Sequence, residues 1–94
     1  MKESAVEKKL KSEVEKAGGL CLKFISPGWA GAPDRIVIFP NGQLTFVELK
    51  APGEKPRKLQ VYRKEQLEEM KQQVVVIDSM ESVEQFMWEV KNGQ

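Results

Sequence analysis

The sequence predicts an α/β protein, a mixed sheet with helices packed on it, its elements running α-β-β-β-α-β-α. Three observations carry that reading. Val6, Leu10, Val14 and Ala17 recur at helical spacing near the start of the chain. The apolar runs Ile36–Phe39 and Leu44–Val47 flank Pro40-Asn41-Gly42, and Asn-Gly between two such runs is a strong hairpin signal. A helical pattern over 57–71 then separates this ribbon from the β-branched run Val74–Ile77, the layout of a parallel crossover.

Taken in order, residues 3–17 form a helix with charge on its remaining faces, ended by Gly18-Gly19. Residues 20–25 read as a strand, Leu20, Leu22 and Phe24 alternating with Cys21, Lys23 and Ile25. Residues 26–33 are a loop, broken by small residues and two prolines. Strands over 35–39 and 43–50 follow, and Pro52 and Pro56 stop the second because neither can donate to a ladder. The helix over 57–71 is expected to turn Leu59, Tyr62, Gln66 or Leu67, and Met70 inward. Val74–Ile77 reads as a strand covered on both faces and parallel to the 43–50 strand. Residues 78–82 restart a helix through a Ser82-to-Gln85 capping box, with Val83, Phe86, Met87 and Val90 on its core face. Trp88 falls one position off that face, in the core or in a subunit contact. These elements occupy residues 1–94 as one domain.

Composition narrows the chemistry. The apolar fraction is 40% and the charged fraction 31%, which suits a globular chain outside the membrane. One cysteine, Cys21, supports neither an internal disulfide nor a thiolate zinc cage; it reads as a small buried strand residue in a reducing, cytoplasmic setting. No signal-peptide pattern opens the sequence. The chain has no histidine, which removes Ser-His-Asp and Cys-His triads and histidine-based zinc sites and nucleases. A general base must then be Asp, Glu, Lys or metal-bound water. Net charge is only +1, but residues 50–64 carry six bases against Glu54, and residues 65–94 carry seven acids against Lys71 and Lys91. A local +5 facing a polyanion with the −5 remainder turned away suits a nucleic-acid backbone.

The residues at the ribbon's end supply the chemistry. Folding the two strands together brings Asp34, Glu48 and Lys50 to one end of it. Glu48 and Lys50 are two apart on a strand and share a face, while Leu49 points the other way. Burying such a pair is costly without a partner or a metal. Magnesium takes a few carboxylate oxygens plus water, so Asp34 and Glu48 supply two ligands and a backbone carbonyl such as that of Leu49 a third. Lys50 would orient the attacking water or stabilise developing negative charge. A surface ion pair on an amphipathic strand is the alternative for Glu-x-Lys alone.

Pro33-Asp34 with Glu48-Leu49-Lys50 resembles the PD-(D/E)xK nuclease signature. The strings Gly18-Gly19-Leu20-Cys21-Leu22-Lys23-Phe24-Ile25-Ser26-Pro27-Gly28-Trp29-Ala30-Gly31-Ala32-Pro33-Asp34-Arg35, Phe46 to Gly53 and Leu59-Gln60 are similar to the VRR-Nuc (virus-type replication-repair nuclease) subfamily, in its stand-alone phage and bacterial form. The resemblance spans essentially the whole chain. It implies a restriction-endonuclease-like αβββαβ core with an extra C-terminal helix. It further implies a Mg²⁺- or Mn²⁺-dependent DNA endonuclease, similar in role to Holliday-junction resolvases and working as a homodimer. Carried over, Asp34 and Glu48 are metal ligands, Lys50 is the catalytic lysine, and Gln60 matches a glutamine near the active site, or else is an exposed helix residue. The family also uses an acid from the first helix; Glu3 and Glu7 both fit, and the spacing of Glu7 to Gly18 favours Glu7.

Around this set, Lys23, Arg35, Lys55, Arg57 and Lys58 are candidate DNA contacts, with Arg63 and Lys64 further along the same segment. Arg35 is equally placed to pair with a neighbouring carboxylate. Trp29, in the loop, is available for stacking on a nucleotide, for packing or for a dimer contact. Symmetric cutting of a four-way junction asks for two subunits. A non-catalytic DNA-binding subunit, a restriction-like enzyme with a base-specific site, and a nuclease acting on flaps or on other branched or linear DNA are the competing readings.

Overall fold

The computed structural model describes residues 2–93. Helix α1 (Glu3–Lys16) turns Val6, Leu10 and Val14 to the interior and stops at the glycine pair. Gly18 takes the left-handed conformation (φ +83°), its N–H donates to the Glu15 carbonyl, and the Gly19 N–H donates to Val14 at 2.9 Å. This arrangement satisfies two helix-end carbonyls and turns the chain into β1 (Leu20–Lys23). A Cβ on Gly19 would lie 2.7 Å from the Ile38 carbonyl oxygen and 3.0 Å from a Val14 methyl. Gly19→Ala is therefore expected to cost about 2 kcal/mol of stability, seen as a lowered thermal midpoint; an unchanged midpoint would show that the strand can shift freely.

Strands β2 (Arg35–Ile38) and β3 (Leu44–Leu49) form the expected hairpin, with Ile38 opposite Leu44 and Arg35 opposite Val47. In its turn Gly42 takes φ +90°, and the Asn41 side chain accepts the Gln43 N–H at 2.9 Å. β1 pairs antiparallel with β2. Helix α2 (Lys58–Glu69) crosses over to β4 (Gln73–Ile77), which lies parallel to β3 with Phe46 opposite Val74 and Leu49 opposite Ile77. The sheet order is β1-β2-β3-β4, and α3 (Met80–Lys91) closes the described chain. The fold class and element order are those expected.

Strand alternation divides the sheet. Val37, Val47, Leu49, Ile77 and Cys21 are buried in one cluster with Val6, Leu10 and Val14 of α1 and Val83, Phe86 and Met87 of α3. The opposite face carries Leu20, Leu22 and Leu44, all substantially exposed, and Glu48.

Local expectations are corrected in four places. Helix α2 buries none of its residues: Leu59, Tyr62 and Met70 are exposed, because α1 and α3 fill the core face and, of the sheet's strands, α2 packs chiefly against β4. Strand β4 lies at the sheet's edge, so Val74 and Ile77 are buried while Val75 and Val76 are only half-covered. Strand β1 ends at Lys23 and Ile25 is 78% exposed, since the proline and glycine that follow leave the ladder. The α3 cap is Ser79, whose side chain accepts the Ser82 N–H while the Ser82 hydroxyl accepts the Ser79 N–H, both at 3.0 Å. Trp88 is exposed and outside the core.

Candidate active site

The β2–β3 register sets Asp34 beside Glu48 on the rung beyond Arg35 and Val47. Asp34 is exposed to solvent yet anchored at three atoms. Its N–H donates to the Val47 carbonyl at 2.9 Å, its own carbonyl accepts from Phe24 at 3.0 Å, and Oδ2 accepts the Leu49 N–H at 2.8 Å. Lys50 extends the parallel ladder by donating its N–H to Ile77 at 3.0 Å. The backbone around both ends of the motif is therefore held by the sheet itself.

Glu48 is the anomaly. It is 4% exposed, and its buried Oε2 has no hydrogen-bond partner among the described residues. The Lys50 ammonium is 3.9 Å away, in ion-pair range but too far for a hydrogen bond. Burial raises the Glu48 pKa from 4.5 to about 7, the Asp34 charge pushes the same way, Lys50 and Arg57 oppose it, and Glu3 adds a smaller upward push. A buried carboxylate oxygen without a donor carries its whole desolvation penalty, which a hard cation would relieve. Nowhere among the described residues do three or more Asp, Glu, Cys or His side chains gather. The side-chain oxygens at this point are thus those of Asp34 and Glu48, and two carboxylates completed by carbonyls and water suit Mg²⁺ or Mn²⁺.

Comparison with known proteins bears on the family and fold. No family model matches the sequence. The chain is 49% identical over 81 residues to "Putative nuclease p44" of Acyrthosiphon pisum secondary endosymbiont phage 1, spanning 86% of this chain and 87% of that protein. It is similar to a solved VRR_NUC domain with a TM-score of 0.86 and 32% identity, over 98% of this chain and 97% of the other. The chain belongs to the VRR_NUC family.

In this VRR_NUC chain the remaining expected site residues divide. Glu7 is held away from the Asp34–Glu48 pair: its Oε2 accepts from Arg35 Nε at 2.8 Å and lies 2.7 Å from Nη2. Arg35 is 8% exposed and also donates to the Cys21 carbonyl at 3.1 Å. Its guanidinium lies on the α1 side of the sheet with no face open to a phosphate, so the neighbouring-carboxylate reading holds and the DNA contact does not. Burial raises the Cys21 thiol pKa, and the Arg35 charge beside it opposes that rise. Gln60, third residue of α2's first turn, accepts the Arg57 N–H at 2.8 Å and so ties the segment after Lys50 to the helix.

Lys23, Lys55, Arg57 and Lys58 are exposed, and Arg57 is near enough to Glu48 for its charge to lower that carboxyl's pKa. Lys64 is taken by Glu68 at 2.8 Å. Two expectations about this VRR_NUC chain change in the structure. Of the two first-helix acids, Glu3 is the one whose charge acts on Glu48, the smallest of the five influences on it, whereas the spacing to Gly18 had favoured Glu7. Arg63, grouped with the phosphate-binding bases, instead faces Trp29 across the loop, and no local pattern marks that pairing. No helix among the described residues is long and apolar enough to cross a membrane.

Proposed function

We propose that this nuclease-fold chain is a Mg²⁺- or Mn²⁺-dependent endonuclease that hydrolyses phosphodiesters in branched DNA, four-way junctions above all, as a homodimer. The observation that carries it is the buried, partnerless Oε2 of Glu48 beside Asp34 and Lys50. Asp34 and Glu48 would hold the cation, with the Leu49 carbonyl as a further ligand. When bound, the ion supplies positive charge that lowers the pKa of a coordinated water and offsets charge on the reacting phosphate.

The chain's own residues do the rest. Asp34 is presented by two backbone hydrogen bonds and by the Leu49 N–H donated to its carboxylate, so that carboxylate needs little reorganisation. Glu48 must lose its proton to act as a ligand, and Lys50 and Arg57 help it do so. The Lys50 side chain, 13% exposed, holds its ammonium where it can orient water or meet developing negative charge. Glu3 takes the part of the first-helix acid, and Gln60 positions the start of α2. Lys23, Lys55, Arg57 and Lys58 contact phosphates without reading sequence. A two-fold assembly would place two such sites on a symmetric junction.

The test is a cleavage panel of four-way junctions, flaps, splayed arms and linear duplexes, each with Mn²⁺, with Mg²⁺ and with EDTA. Junction cleavage that depends on a divalent ion, exceeds cleavage of linear duplex and ignores base sequence is expected. Protein that binds junctions but cuts nothing with any divalent ion would be a DNA-binding subunit, and the enzyme reading would be lost.

A further inference from the structure

Among the described residues, the loop over residues 25–33, which leads into Asp34, is hydrogen-bonded to α2 through a single side chain. Arg63 donates from Nε to the Ala30 carbonyl at 2.8 Å, and its guanidinium carbon sits 4.8 Å from the centre of the Trp29 ring. Nη1 is fixed from below by Gln66 at 2.8 Å, one helical turn on. The guanidinium thus spends a hydrogen bond and a cation–π stack on the loop and another bond on its own helix. Among the described residues no other hydrogen bond reaches 25–33 from outside the loop, apart from those at its base. The loop presses close at the same place: a Cβ on Gly31 would lie 2.8 Å from Leu59 of α2.

We propose that Arg63 is a positioning residue that makes the loop and the basic start of α2 one DNA-binding surface. Phosphate binding by its own charge is not its role. The inference rests on the nuclease reading above. It has a kinetic signature, because Asp34 is anchored separately by Phe24, Val47 and Leu49. Releasing the loop would loosen the grip on DNA and leave the reacting groups in place. Lysine at 63 would keep the charge, yet it lacks the planar fork that stacks and donates at once.

The experiment uses a Trp88→Phe background, in which Trp29 is the remaining tryptophan. Arg63→Ala and Arg63→Lys are both expected to raise acrylamide quenching of Trp29 about twofold and KM for a four-way junction about tenfold, with kcat within about twofold of the parent. Arg63→Lys with the parent's KM would mean that charge alone suffices and would overturn the proposal. So would a fall in kcat at unchanged KM. Trp29→Leu removes the stack without touching α2 and is expected to raise KM in the same direction; unchanged KM there also counts against the clamp, and this variant decides if Arg63→Ala lacks a cooperative thermal transition. Quenching and junction binding in EDTA need no turnover. A parent that never cuts would therefore defeat the nuclease reading, while parental quenching and binding in Arg63→Lys would defeat the clamp.

Discussion

Lys50→Ala is expected to lower kcat/KM for junction cleavage by about 10³-fold while moving the thermal midpoint little. The ammonium makes no hydrogen bond among the described residues, so its removal leaves no new orphan in the core. What disappears is the one positive charge within ion-pair range of Glu48 Oε2, at 3.9 Å. The loss is twofold in kind. The reacting phosphate loses a cation, and Glu48 loses the larger of the two charges that hold its pKa down, so its carboxyl keeps its proton to still higher pH. Residual cleavage by the variant should accordingly shift its pH profile to the alkaline side. Cleavage within about tenfold of wild type, with divalent ion present, would remove Lys50 from the catalytic set.

Glu48→Gln should abolish cleavage and, in metal-free buffer, make the protein more stable at pH 8. In the folded chain Glu48 holds its proton to about pH 7, against the ordinary 4.5. Between those values the native state binds more protons than the unfolded one, so stability falls as pH rises. Above pH 7 the deficit is complete, of the order of 3 kcal/mol. Glutamine resembles the protonated acid and is spared that cost. Thermal midpoints of wild type and variant should coincide below about pH 4.5 and separate progressively from about pH 5 to 7, the variant above. Mg²⁺ or Mn²⁺ should narrow the gap at pH 8 by binding wild type alone. A difference in midpoint that does not change with pH would show that Glu48 is not the titrating group.

The fold was legible because its determinants are local. Val6, Leu10 and Val14 repeat at one period, Ile36–Phe39 and Leu44–Leu49 at another, and Gly18 and Gly42 stand where the backbone reverses hand. Asp34, Glu48 and Lys50 were legible for the same reason, since a hairpin converts sequence distance into adjacency. What stayed hidden depends on long-range packing. Leu59, Tyr62 and Met70 have core spacing, but only the finished sheet shows that α1 and α3 occupy the face that would have buried them. Arg35 and Asp34 are neighbours in sequence and on opposite sides of the sheet, so one pairs with Glu7 and the other faces Glu48. Ser79 and Ser82 each suit a cap, and the choice rests on where β4 releases the chain. Arg63 and Trp29 meet only because a loop and a crossover helix converge.

The hairpin between the two halves of the site behaves as a length standard. Side-chain direction along β3 is set by its register with β2, with Ile38 opposite Leu44 and Arg35 opposite Val47. One residue added within 39–43 and taken up by slippage would turn Glu48 and Lys50 to the face packed by α1 and α3 and Leu49 to the face that now holds Asp34. The loop at 25–33 is under no such arithmetic, because Phe24 and Asp34 close its base whatever its contour. Length added on the β1–β2 side would therefore leave the alignment of Asp34 with Glu48 and Lys50 intact, whereas length added in the β2–β3 turn would not.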